Sequence, residues 1–433
     1  MASTSSSTVP SHPVVFTTKT PYVLPSQKFM IPLDWKRYQL SQLINKALDL
    51  PKPVPFDFIV HGEILRTTLW EWRAEKGVGE EDTLEIEYFE SVMPPQRMSD
   101  IPHEDWVSSV SCRIPQHFVT ASYDGHLRLF DYSQNPVIDT FVHQAPITSV
   151  CVVPSPSSDA ESRILASSSH DFTACLTHIY MSLEGPSAST VASLHLHTSP
   201  LSCVSSDTSG SHLLTSSWDG LIGVWDTSIP DEHQVTLERG DDRKKRRKTA
   251  PVNIKRKAPI AVLKSHTARV SKALFATGLH AKGKAYSCGF DSTVRTWDVE
   301  SGVCVNTVNV PERPMLDLAQ TPDGNVLLAA STDRTVSIFD LRISNSSLSS
   351  STGFMMHPAT PSCIATSEGG KQQVVTGAYD GVARLWDLRS TKGAVTNFRV
   401  WDGMKVLGVD WAGDVVSIGG EGGVEVWRIT GGS

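Results

Sequence analysis

The seven cysteines, at positions 112, 151, 175, 203, 288, 304 and 363, include no Cys-x-x-Cys pair, and their number is odd. That argues against a disulfide frame and against a zinc ligand set. Most of them sit in apolar runs such as SVCVV around Cys151, so buried thiols in a reducing compartment are expected. No apolar run reaches the roughly 18–20 residues that a membrane-spanning helix needs. The opening MASTSSSTVPSHP has no apolar signal core; rich in Ser, Thr and Pro, residues 1–13 read as a disordered leader. Charge of one sign is also scarce. Lys and Arg number 39 against 46 Asp and Glu, for a net −7 and a pI near 6.1. Such a chain does not coat nucleic acid over its whole surface, and any contact of that kind has to be local. At 433 residues it is too long for one small core.

What is present is a repeat. SYDGHLRLFD (122–131) returns as SHDFTACLTH (169–178), SWDGLIGVWD (217–226), GFDSTVRTWD (289–298), STDRTVSIFD (331–340), AYDGVARLWD (378–387) and GEGGVEVWRI (420–429). The turn acids are Asp124, Asp171, Asp219, Asp291, Asp333, Asp380 and Glu421, at steps of 47, 48, 72, 42, 47 and 41 residues. A tight turn before an alternating strand is a hairpin signal. At a period of ~40–45 residues it resembles the WD-repeat blade of a β-propeller. Seven copies predict a closed seven-bladed ring over residues 91–433, in a mainly β chain.

WD-repeat blades carry a buried hydrogen-bond set of His, Ser/Thr, turn Asp and Trp. Here it reads His197, Thr215, Asp219 and Trp225, then His266, Ser287, Asp291 and Trp297, then His357, Thr376, Asp380 and Trp386. Each His/Ser/Asp trio imitates a catalytic triad, but an active site does not recur once per blade; the sets are expected to be structural and the protein not to be an enzyme. The first copy keeps His103, Thr120 and Asp124 but has Phe130 for Trp. The second has Thr177 at the Trp position, and the fifth has Glu312 and Ala329 in place of His and Ser/Thr. Those blades are expected to rely on packing alone. The seventh copy lacks an outer strand after it, so residues within 90–102 should close the ring and cover the open edge.

The 72-residue step contains DDRKKRRKTAPVNIKRK, inside an expected disordered basic insert at about 228–260. Two clusters, Arg243, Lys244, Lys245, Arg246, Arg247 and Lys248, then Lys255, Arg256 and Lys257, have the form of a nuclear import signal, with a merely solvated charged loop as the alternative. Contact with RNA phosphates is compatible with it.

Residues 14–90 follow another pattern. VVFTTKT (14–20) and FMIPLDW (29–35) read as strands. A helix over 38–50 follows, with Leu40, Leu43, Ile44, Ala47 and Leu48 on one face and Ser41 or Asp34 as cap. FDFIV (56–60), EILR (63–66), a helical turn at LWEW (69–72) and TLEIEYFE (83–90) complete a β-grasp order. FDFIVHGEILRTTLWEWRAEKGVGEEDTLEIEY is similar to the second half of ubiquitin, with no Gly-Gly tail for conjugation. KPVPFDFIVHGEILRTTL, EYFESVMPP and HEDWVSSV, on a chain with this propeller, resemble the ribosome-biogenesis WD-repeat family of the PeBoW complex. The related Notchless family shares the head but has one blade more.

The resemblance implies an assembly factor for the large (60S) subunit precursor and its rRNA, in the nucleolus and nucleoplasm. Its implied partners are pescadillo, the Bop propeller protein and midasin, with no membrane and no cofactor of its own. It further implies that Glu81, three residues before Leu84, meets the Mg²⁺ of midasin's MIDAS domain, with Glu80 and Asp82 as neighbours. A protruding carboxylate between a glycine turn and a strand suits a hard cation with one open position. The alternatives are a ubiquitin-pathway adaptor with the propeller as substrate receptor, an enzyme built on the repeated trios, and a merely solvated acidic turn at 80–82.

Overall fold

A computed structural model of the chain describes residues 10–77, 79, 82–155, 162–182, 185–230, 232–234, 254–278, 283–310, 313–342, 351–368 and 372–430. The chain forms two compact units. The first comprises Met1–Gln96, Asp387–Val395 and Ile429–Ser433; the second comprises Arg97–Trp386 and Thr396–Arg428.

In the first unit, β1 (Ser11–Thr17) and β2 (Lys28–Pro32) form a hairpin followed by α1 (Arg37–Leu48). Then come β3 (Phe56–Val60), β4 (Glu63–Ile64), α2 (Leu69–Lys76) and β5 (Leu84–Glu90). The sheet order is β2-β1-β5-β3-β4, with β1 parallel to β5, the ubiquitin-like arrangement. Residues 11–13 are strand, not leader, because Ser11 and His12 pair with Pro32 and Ile31. Leu40 and Ile44 of α1 pack on Phe16, Phe56, Phe58, Ile86 and Tyr88, whereas Ala47 is exposed. Neither Ser41 nor Asp34 caps α1: Gln39 Oε1 accepts from the Lys36 N–H at 3.1 Å, and Ser41 Oγ accepts from the Phe56 N–H at 3.0 Å. The LWEW turn extends into a full α2. Thr68 and Glu71 exchange side-chain-to-backbone bonds of 3.1 Å each at its start, and Gly77, at φ 65°, ends it.

The second unit is a seven-bladed propeller. Seven sheets of at least four antiparallel strands follow one another, and their innermost strands pack in a circle. In the first six copies the residue directly after the turn acid takes a positive φ. Glycine meets it at Gly125, Gly220 and Gly381, and a Cβ on Gly125 would stand 2.2 Å from the His143 carbonyl oxygen. Phe172, Ser292 and Arg334 adopt the same region at φ 70°, 58° and 71° without being glycine. The seventh sheet is completed by β6 (Gln96–Ile101), which lies beside Gly423–Arg428. Ile101 is buried among Val107, Val110, Phe118, Val424 and Val426. Arg97 lies 2.7 Å from the Glu425 carboxylate, whose side chain is 2% exposed. Burial raises that carboxyl's pKa, and the Arg97 charge pulls it back down.

Candidate functional site

The acidic segment of the head falls in the chain between two fixed points. On one side the Gly77 N–H closes α2 on the Arg73 carbonyl at 2.9 Å; on the other Leu84 is buried at the start of β5. Asp82 between them is exposed. Glu80 and Glu81 lie outside the described residues.

The blade networks vary more than their sequences. His197 Nδ1 lies 3.1 Å from Asp219, and its Nε2 lies 2.9 Å from Thr215 Oγ1, which also accepts from the Trp225 indole at 2.9 Å. Burial raises the Asp219 pKa, but His197 and the backbone N–H groups of Leu221 and Thr198 outweigh it and hold the carboxyl low. His266, Ser287, Asp291 and Trp297 repeat the set, with His266 2.9 Å from Asp291 and 2.7 Å from Ser287. The sixth blade departs. Trp386 still donates to Thr376 at 2.9 Å, but Arg384 takes Asp380 at 2.6 Å, and neither ring nitrogen of His357 has a hydrogen-bond partner among the described residues. The first two blades do not rely on packing alone. His143 bridges Asp171 and Ser167 at 2.9 Å each, and His103 reaches Thr120 at 3.0 Å with its other nitrogen on the Ile101 carbonyl. In the fifth, Arg313 holds Asp333 at 3.0 Å; Glu312 is outside the described residues.

His197→Ala is therefore expected to destabilise by about 2–3 kcal/mol, because it strands buried partners, while His357→Leu should cost under ~1 kcal/mol. Burial, with Arg384 adding to it, depresses His357 to about 4 from an ordinary 6.5. The folded state resists protonating it, so its stabilising neutrality is complete above about pH 6.5 and is lost as pH falls towards 4. Urea titrations of the two variants across that range check both statements.

The basic insert is partly ordered. Arg243, Lys244, Lys245, Arg246, Arg247 and Lys248 lie outside the described residues. Lys255–Lys257, however, form a strand parallel to Gly185–His195 of the second blade. Lys257 is fully buried, with its ammonium on Asp226 and the Ser228 carbonyl. An ion pair in a buried position corrects the expectation of a disordered loop there and removes Lys257 from any freely presented import signal. The thiols are free, and burial pushes five of them up, Cys363 to about 12, so those five are unreactive. Among the described residues there is no group of three or more His, Cys, Asp or Glu side chains that could hold a metal. None of the described helices is long and apolar enough to cross a membrane.

One feature was missed in the sequence: the residue before each turn acid is aromatic in five copies, namely Tyr123, His170, Trp218, Phe290 and Tyr379. They share one end of their blades with Trp106, Arg269 and Lys405, each at the start of an innermost strand. Trp106 lies 5.7 Å from Tyr123, Tyr123 6.5 Å from His170, and His170 5.5 Å from Trp218. Arg269 stands 5.1 Å from the Trp218 ring and 3.2 Å from the Phe290 ring, and the Lys405 ammonium 5.7 Å from both Trp106 and Tyr379. The result is a belt across six blades. Alignment on the turn acids alone would have revealed it.

Comparison with known proteins gives matches over both units. The NLE (NUC135) domain matches residues 13–72, and the WD domain, G-beta repeat, matches 96–131, 188–226, 302–340 and 349–387. The chain is 57% identical to the ribosome biogenesis protein YTM1 of Laccaria bicolor, over 99% of both chains. It is 56% identical to that of Coprinopsis cinerea, over 96% of this chain and 94% of the relative. With the Saccharomyces cerevisiae protein of the same name it shares 31% over 88% of each.

Proposed function

The chain belongs to the YTM1 family of ribosome biogenesis proteins, and on that premise we propose that it is a non-catalytic assembly factor of the large (60S) subunit precursor. The observation that carries this is the pairing of head and propeller in one chain, matched end to end by relatives named for ribosome biogenesis. In this reading the propeller holds the protein in the particle through the Bop propeller protein, in a complex that includes pescadillo, and touches rRNA locally. The head offers Glu81, flanked by Glu80 and Asp82, to the Mg²⁺ of a MIDAS domain on midasin, whose ATP-driven movement then removes the complex. In this reading the chain brings no metal or cofactor of its own. Inward-facing networks such as that of His197 support a structural use of the trios, because their polar atoms are taken up within the blade. The proposed site of action is the nucleolus and nucleoplasm.

Affinity purification of the tagged chain, followed by identification of its RNA and protein partners, tests this. Large-subunit precursor rRNA with a second propeller protein is the expected result; a ubiquitin ligase with no precursor rRNA would replace the reading with the adaptor one. Replacing Arg243, Lys244, Lys245, Arg246, Arg247 and Lys248 by Ala should shift a fluorescent fusion towards the cytoplasm without lowering its unfolding midpoint. Undiminished nuclear accumulation would assign import to a bound partner.

A further inference from the structure

The inference rests on the reading of the propeller as the part that engages a protein partner. We propose that the aromatic belt is the docking surface for a protein segment carrying one acidic side chain between apolar ones, its carboxylate pairing with Arg269.

Arg269 differs from the arginines near the turn acids of the first and sixth blades. Arg128 and Arg384 each hold a turn acid at 2.6 Å. The guanidinium of Arg269 has no carboxylate and no hydrogen bond among the described residues; it is fixed instead by the rings of Phe290 and Trp218. Stacking occupies the faces of a guanidinium and leaves its in-plane N–H fork for a bidentate acceptor. Half-burial strengthens the attraction by lowering the local dielectric. Around it, Trp106, Trp218 and Tyr379 are 41%, 44% and 40% exposed, so the belt presents large aromatic side chains to solvent. Trp, Tyr and Arg are the residues that dominate protein–protein binding energy.

The charge distribution selects among ligands. A cationic segment is repelled by Arg269 and Lys405. Single-stranded nucleic acid would stack on the rings, but its backbone needs a track of free cations. Lys405 is already paired with Glu421 at 3.5 Å, and Asp105 adjoins Trp106, so among the described residues of the belt Arg269 is the cation left without a carboxylate. One acidic anchor in an apolar setting fits that surface.

The probe is a tiled array of short peptides covering the acidic stretches of the proteins in the purified particle. Each is paired with a Glu→Gln and Asp→Asn twin, and oligo-uridine is tested beside them. All are titrated against the full chain by fluorescence anisotropy. At least one acidic peptide should bind, its amide twin should weaken by about 30-fold or more, and Arg269→Ala should cost the same. Arg269→Lys should lose most of the binding, and Trp218→Ala about tenfold, with thermal unfolding unchanged in each. The twin keeps the test independent of protein folding. No carboxylate-dependent peptide, or equal binding by Arg269→Ala, overturns the proposal; Arg269-dependent binding of oligo-uridine alone reassigns the belt to nucleic acid and also overturns it. Association of the wild-type chain with precursor particles is measured in parallel. Its absence would refute the functional reading, whereas its presence with negative peptide data refutes only this surface.

Discussion

Deleting residues 1–105 should convert the propeller from a cooperatively unfolding monomer into an aggregating one, whereas deleting 1–91 should not. The difference between the two is β6. Without it the strand Gly423–Arg428 has an unpaired edge, and such edges template association. Ile101 leaves a buried cluster, at about 1.5–3 kcal/mol for a fully buried apolar side chain. Glu425 loses Arg97, its cationic partner at 2.7 Å, a further penalty of about 1–3 kcal/mol. Against a typical total of ~5–15 kcal/mol, these losses and the lost ladder are enough to undo the ring. Light scattering and calorimetry on the two truncations read the outcome. A soluble 106–433 fragment with a single sharp transition would show that closure by β6 is dispensable.

Glu81→Ala should abolish binding of the head to a MIDAS domain while leaving its thermal unfolding unchanged, which separates lost coordination from lost folding. Glu81→Asp is the more discriminating variant. It keeps the charge but withdraws the carboxylate by roughly 1.5 Å, and Mg²⁺ takes oxygens only near ~2.1 Å in octahedral geometry. Coordination therefore predicts that Asp fails nearly as badly as Ala, while long-range steering predicts nearly normal binding. Glu80→Ala should lower mainly the association rate and its salt dependence. Normal affinity of Glu81→Ala in the presence of Mg²⁺, measured by calorimetric titration, would return residues 80–82 to a solvated turn.

The ring was legible because turn chemistry leaves its mark in sequence: an acid followed directly by glycine, or by a residue forced into the same φ. The networks were less so, for two physical reasons. Weight on Trp hid the second blade, where Thr177 stands in its place although His143 and Ser167 keep their bonds. Competition hid the sixth. An arginine four residues after the turn acid, Arg128 or Arg384, takes the carboxylate, and the histidine turns to a backbone carbonyl or to nothing. Arg295 stands at the same spacing but only at 3.5 Å, and there His266 keeps Asp291. Lys255–Lys257 were misread because a charge run carries no sign that Asp226 awaits one of its members. In the head, strand order was plain from alternation, while the caps, Ala47, the extent of α2 and the start of β1 at residues 11–13 went astray. Acidity at 80–82 is visible in the sequence; its use is not.

Because β6 and the strand it covers stand about 300 residues apart, the pair has one of the longest loop closures available to a chain of this size. During translation at roughly 5–20 residues per second, β6 emerges tens of seconds before its partner exists. Blades one to six can stack as they appear, but the seventh must wait for both ends. Throughout that interval β6 lacks its ladder, and Ile101 lacks Val424 and Val426 from the cluster that buries it. A nascent chain of this architecture therefore needs a holding chaperone at its N-terminal side more than at its last blade, and slowing elongation lengthens the exposure instead of relieving it.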